Sequence, residues 1–149
     1  MSRQLTAIIV DDERLAREGL MLRLNDDDRF DVVAQCQSAH HALDAIEKFQ
    51  PDIAFVDIEM PGLSGLELAE LLSKNTTPAP KVVFVTAFRE FAFNAYEFHA
   101  LDYLLKPISD DRLASCLSKL VEFFFDRDVF LQHLKLDMLL LFLFHISHP

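Results

Sequence analysis

Cysteine is scarce in this 149-residue chain: two residues, Cys36 and Cys116, in no C-x-x-C spacing. That excludes a disulfide framework and thiolate metal clusters, and it fits small apolar residues in a reducing cytosol. Basic residues are also few, 14 Lys and Arg against 24 Asp and Glu, for a formal charge of −10. So acidic a surface disfavours the phosphate backbone of DNA, which is met by Lys and Arg. The longest wholly apolar run, Met138 to Phe144, is far below the roughly 20 residues that span a bilayer, so no membrane partner is expected. Met1-Ser2-Arg3-Gln4 leads straight into apolar sequence without a signal-peptide pattern. Neither an internal repeat nor a low-complexity linker is visible. These features describe a cytoplasmic chain with one domain of ordinary size.

What is present is a set of short apolar runs, each closed by a polar group. Ala7-Ile8-Ile9-Val10 ends in Asp11-Asp12-Glu13, and Ile53-Ala54-Phe55-Val56 ends in Asp57. Val82-Val83-Phe84-Val85 ends in Thr86, and Tyr103-Leu104-Leu105 ends in Lys106-Pro107. Runs of this kind without alternation read as strands buried on both faces of a parallel sheet. The C-terminal ends of such strands share one edge, where ligands bind.

Strands are expected near 6–10, 31–35, 53–56, 81–85 and 102–105, with helical patterns between them. Ala16, Leu20 and Leu24 mark a first helix. A second, capped by Ser38, carries Ala39, Leu43 and Ile46 on its inner face. Ser64-Gly65-Leu66-Glu67 is a capping box ahead of Leu68, Ala69 and Leu72. Ala92, Ala95 and Tyr96 mark a short fourth helix, and Leu113, Leu117, Leu120 and Phe124 a fifth. Pro51 and Pro80 break helices just before strands. Five βα alternations imply an α/β fold, a doubly wound five-stranded parallel sheet with helices on both faces.

Each polar signal also has an ordinary reading. Asp11 and Asp12 could cap a helix, Asp57 could start a loop, Thr86 is common in strands, and Lys106 could snorkel at the surface. Together, acids from two strand ends repel one another unless a hard cation joins them. Mg2+, which takes carboxylates, water and phosphate oxygens, fits that need.

The ordered set of Asp11-Asp12, Asp57, Thr86-Ala87 and Lys106-Pro107 resembles the receiver domain of bacterial two-component response regulators, over about residues 5–122. Thr86 to Tyr96 and Leu101 to Pro107 look like the LytTR branch. The resemblance implies a flavodoxin-like strand order of 2-1-3-4-5 and a receiver domain over 1–124. Asp57 would accept a phosphoryl group from a sensor histidine kinase. Mg2+ would be held by Asp11, Asp12, Asp57 and the main-chain carbonyl of Glu59. Thr86 and Lys106 would contact the phosphoryl group, and Tyr103 would be the switch aromatic. The Lys106–Pro107 bond would be cis. The chain would not be an enzyme beyond self-catalysed phosphoryl transfer and slow self-hydrolysis. It would pair as a homodimer through its fourth helix, fifth strand and fifth helix.

A LytTR regulator should continue into a strand-rich DNA-binding domain of about a hundred residues. After Phe125 there is neither a basic patch nor strand alternation, so DNA contact is expected only through an output domain absent from this chain. The apolar segment 125–149 is expected to form no independent domain and to bury its apolar face on another chain or on the fifth helix. Two other classes compete with a phosphorylated switch. A haloacid-dehalogenase-type phosphatase would place D-x-D after the first strand, whereas here Asp57-Ile58-Glu59 follows the third. A receiver-like interaction module without phosphorylation would lack Asp57 or Lys106.

Overall fold

The computed structural model describes residues 3–75 and 78–147. Two units divide the chain between Leu113 and Ala114. The first holds five parallel strands: β1 (Leu5–Val10), β2 (Phe30–Cys36), β3 (Ile53–Val56), β4 (Lys81–Thr86) and β5 (Asp102–Leu105). Their order is β2-β1-β3-β4-β5, as the resemblance implies. Burial follows position. Residues of β1, β3 and β4 are almost all buried, and those of the edge strands β2 and β5 are largely half-buried. An apolar run without alternation is therefore a central strand here, because helices cover both its faces.

Helix α1 (Arg14–Asn25) buries Leu20 and Leu24. Helix α2 (Ala39–Phe49) starts where the Ser38 side chain accepts from the His41 amide (3.1 Å). It stops at left-handed Gln50, ahead of Pro51. Helix α3 (Gly65–Asn75) opens on the reciprocal capping box: the Glu67 amide donates to Ser64 Oγ and the Ser64 amide to Glu67 Oε1, each at 3.1 Å. Two orphan amides of the first turn are thereby satisfied. A 3₁₀ turn at Arg89–Phe91 precedes the short α4 (Ala92–Glu97). Of the three residues that marked this helix, Ala95 is buried, and Ala92 and Tyr96 are exposed.

Helix α5 runs from Asp110 to Ser147. Leu113, Leu117, Leu120 and Phe124 are buried, as expected of a fifth helix. Of the two expected places for the segment after Phe124, another chain or the fifth helix, the second is not taken. The segment does not fold back on the fifth helix but continues it, and its described apolar side chains from Leu131 to Ile146 are exposed. The reason is local: no Gly or Pro lies between Pro107 and Pro149, so nothing stops the helix. By length and composition, α5 could cross a membrane. The seven-residue run Met138 to Phe144 understated this, because a few polar residues do not end an apolar helix.

Candidate functional site

The ladder of the sheet carries one residue past several strand ends. The Asp11 amide donates to Cys36 O (3.0 Å), the Asp57 amide to Val10 O (2.9 Å) and the Lys106 amide to Thr86 O (2.8 Å). Each site residue leaves the sheet with its backbone still paired, so its side chain starts from a fixed position. Asp11 and Asp57 are buried, at 5% and 7% exposure, and Thr86 is fully buried.

Lys106 bridges the two acids. Its Nζ lies 2.7 Å from Asp11 Oδ2 and 3.3 Å from Asp57 Oδ2. Burial alone would lower the ammonium's pKa. The hydrogen bond it donates to Asp11 and the charge of Asp57 outweigh burial and leave Lys106 raised. Asp57 goes the other way from an ordinary ion-paired acid, up to about 6. Burial is the main cause, and the charge of Asp11 adds to it. The ammonium of Lys106 and the Glu59 amide oppose the shift without cancelling it. Lys106 sits closer to Asp11, and Asp57 is left under-compensated.

Asp11, Asp12 and Asp57 each offer a carboxylate oxygen, all within 4.8 Å of one another. Two buried acids and one exposed acid against a single ammonium leave a negative cluster open at Asp12. Oxygen donors with that charge excess suit a small hard dication. Smaller contacts hold the cluster in place. Asp11 Oδ1 accepts from the Glu13 amide (2.9 Å), the Asp11 carbonyl accepts from Arg17 Nη1 (2.7 Å), and Asp57 Oδ1 accepts from the Glu59 amide (3.3 Å). The described contact of Glu59 is thus through its amide.

Thr86 and Tyr103 meet at one residue, Phe88, through its amide and its carbonyl. The Phe88 amide donates to Thr86 Oγ1 (3.3 Å), and the Tyr103 hydroxyl donates to the Phe88 carbonyl. Partial burial of the ring raises the Tyr103 pKa. The Lys106–Pro107 bond is cis, as expected. A cavity of about 320 Å³ adjoins the acids, lined among others by Leu15, Gly19, Arg23, Lys106 and Ile108.

Three contributors escaped the sequence reading. A Cβ on Gly65 would stand 2.3 Å from the Asp57 carbonyl oxygen and 2.8 Å from Ile58 Cα. Only a glycine lets α3 start so close under the Asp57 loop. The one available signal was a rare glycine inside a capping box. Arg17 and the Phe88 peptide act on or through main-chain atoms, which no residue pattern announces.

Comparison with known proteins places these residues in a family. The sequence profile described as "Response regulator receiver domain" matches residues 7–118. A response regulatory protein of Yersinia pestis is 51% identical over 116 residues, covering 78% of this chain and 48% of the relative. The transcriptional regulatory protein BtsR of Salmonella typhi is 47% identical over 113 residues, covering 76% and 46%. The chain therefore spans about half the length of the curated relatives it matches. Among solved structures, the response regulatory domain of mrkE from Klebsiella pneumoniae superposes with a TM-score of 0.73 at 34% identity, covering 79% of this chain and 96% of that one. The response regulator domain of CheB from Thermotoga maritima gives 0.69 at 25% identity, with 80% and 96% covered. The strand order, the acids beyond β1 and β3 and these matches converge: the chain belongs to the response regulator receiver domain family of two-component systems.

Proposed function

We propose that this chain is a phosphoryl-accepting switch in which Asp57 is the phosphoacceptor. The observation that carries the reading is the placing of Asp57: a buried carboxylate on a loop fixed to β1 and α3, 3.3 Å from Lys106 and beside Asp11 and Asp12. Phosphoryl transfer needs an in-line oxygen nucleophile and charge compensation more than covalent machinery. An Asp57 oxygen attacks phosphorus, the bond to the histidine nitrogen of a sensor kinase breaks, and that imidazole leaves. Mg2+, held by Asp11, Asp12, Asp57 and the Glu59 carbonyl, would supply charge to the phosphoryl oxygens. The Lys106 ammonium is already in the site and exchanges its contact with Asp57 for one with a phosphoryl oxygen.

The new group adds roughly −1.5 to −2 charge. The Thr86 hydroxyl turns from the Phe88 amide toward it, and the Phe88 amide is released. The hydroxyl of Tyr103 is bonded to the carbonyl of that same residue, so its ring moves with it. The output is a shift between two packings around α4 and β5. Pairing of two copies through α4, β5 and α5 would read that shift. In a longer LytTR-type parent, it would control DNA binding by a separate output domain in the cytoplasm. The test is incubation with acetyl phosphate and Mg2+, followed by intact mass. One phosphoryl adduct is expected in the wild type and none in Asp57→Asn. An undiminished adduct in that variant would remove the assignment. An unphosphorylated wild type would favour a receiver-like interaction module, and turnover of phosphomonoesters a phosphatase.

A further inference from the structure

We propose that the C-terminal stretch of α5, residues 131–146, inserts into the hydrocarbon region of a phospholipid bilayer. From Val129 to Ile146 the sequence holds only two charged residues, Lys135 and Asp137. A buried core helix or an N-terminal signal sequence could share that composition, but no described residue of this stretch is buried and it lies far from the N-terminus. Leu140, Leu141 and Phe142 are each more than 60% exposed.

The distribution around the helix selects the occupant. Met138 to Phe144 are seven consecutive exposed apolar residues, about two turns, so they face every direction. A partner helix covers only a stripe. In a two-stranded coiled coil with Leu131, Leu134, Met138 and Leu141 in the seam, Leu136, Leu139, Leu140 and Leu143 would remain in water. A helix apolar on all sides is covered by a large core or by lipid. Sixteen residues rise about 24 Å, most of a hydrocarbon layer of roughly 30 Å. Lys135 can extend its ammonium toward the headgroups along its methylene chain. The receiver unit's net negative charge argues for a neutral lipid surface rather than an anionic one.

The chain has no tryptophan, so Leu140→Trp in the full chain is a single fluorescent reporter. With phosphatidylcholine vesicles, its emission should shift to the blue, and lipids brominated in their acyl chains should quench it. The protein should float with the vesicles, in high salt as well as low, since the attraction is apolar. Adding Leu140→Asp and Leu143→Asp to the wild type should weaken partitioning at least ~100-fold. Unchanged amide-exchange protection in β1, β3 and β4 would show that this variant remains folded. If the reporter stays water-exposed and unquenched while the protein sediments free of vesicles, the proposal is overturned. A fixed oligomer that buries the tryptophan without vesicle binding overturns it as well, and makes a second copy of the chain the occupant.

Discussion

Replacing Asp57 by Asn should stabilise the metal-free protein, with a characteristic dependence on pH. The carboxyl is raised from an ordinary 3.8 to about 6. Between those values the folded state keeps a proton that the unfolded state has lost. Stability of the wild type therefore falls as pH rises through this window, and the deficit is complete above about pH 6. A shift of that size corresponds to roughly 3 kcal/mol, at about 1.4 kcal/mol for each pH unit. Asp57 is almost wholly buried, so solvent screening removes little of it. The amide carries no titration and no charge against Asp11, and Lys106 keeps its 2.7 Å partner in Asp11, so the substitution strands no ammonium. Denaturation of both proteins in a chelator, from pH 4 to 8, isolates the effect from the other acids. The difference, variant minus wild type, should be small at pH 4, grow by up to about 3 kcal/mol and level off near pH 7. That corresponds to a melting-temperature gain on the order of 10 °C. Saturating Mg2+ should shrink the gap by stabilising the wild type more than the variant. A difference that stays flat between pH 4 and 7, or that narrows as pH rises, would refute the reasoning.

Three other substitutions separate the parts of the site. Asp12→Ala removes an exposed acid, so the denaturation midpoint should barely move, while Mg2+ affinity measured by titration should fall more than ~10-fold. Lys106→Ala leaves Asp11 and Asp57 uncompensated. It should cost about 1–3 kcal/mol in urea denaturation at pH 7 and abolish phosphoryl-dependent amide-exchange changes at Thr86 and Tyr103; wild-type exchange changes would contradict the role. Gly65→Ala drives a methyl group into the Asp57 carbonyl oxygen, which is backbone and cannot swing aside. A loss of roughly 1–3 kcal/mol is expected, accompanied by weaker Mg2+ binding, whereas Gly19→Ala, with open space around the position, should do neither.

The sequence was informative where chemistry and periodicity coincide. Central strands are buried on both faces, so they appear as uninterrupted apolar runs, and the polar residue that ends each run is the one that reaches the sheet edge. Asp11, Asp57, Thr86 and Lys106 were legible for that reason, and the strand bounds fell within a residue of the observed ones. Of Ala92, Ala95 and Tyr96 only Ala95 is buried, because a six-residue helix gives too few turns for periodicity to fix an inner face. The extent of α5 was missed for a different reason. The apolar pattern changes after Phe124 from one face to all faces, which reads as a new segment. Helix continuity is a backbone property, and it depends on the lack of a breaker rather than on which side chains follow.

The same division runs through the proposed switch. Side-chain chemistry, which the sequence displays, gathers charge at one edge of the sheet. Main-chain geometry, which it does not display, connects that edge to the surface. Thr86 and Tyr103 have no described contact with each other; they meet through the amide and the carbonyl of Phe88. Any residue but proline at 88 could offer those two groups, so the identity Phe88 carries little information about the coupling. Its position two residues beyond Thr86 carries all of it. In the proposed switch the buried threonine would exchange the Phe88 amide for a phosphoryl oxygen, and the residue that bonds Tyr103 would lose one of its two main-chain contacts. The coupling would run through one residue whose amide and carbonyl, in adjacent peptides, have different partners.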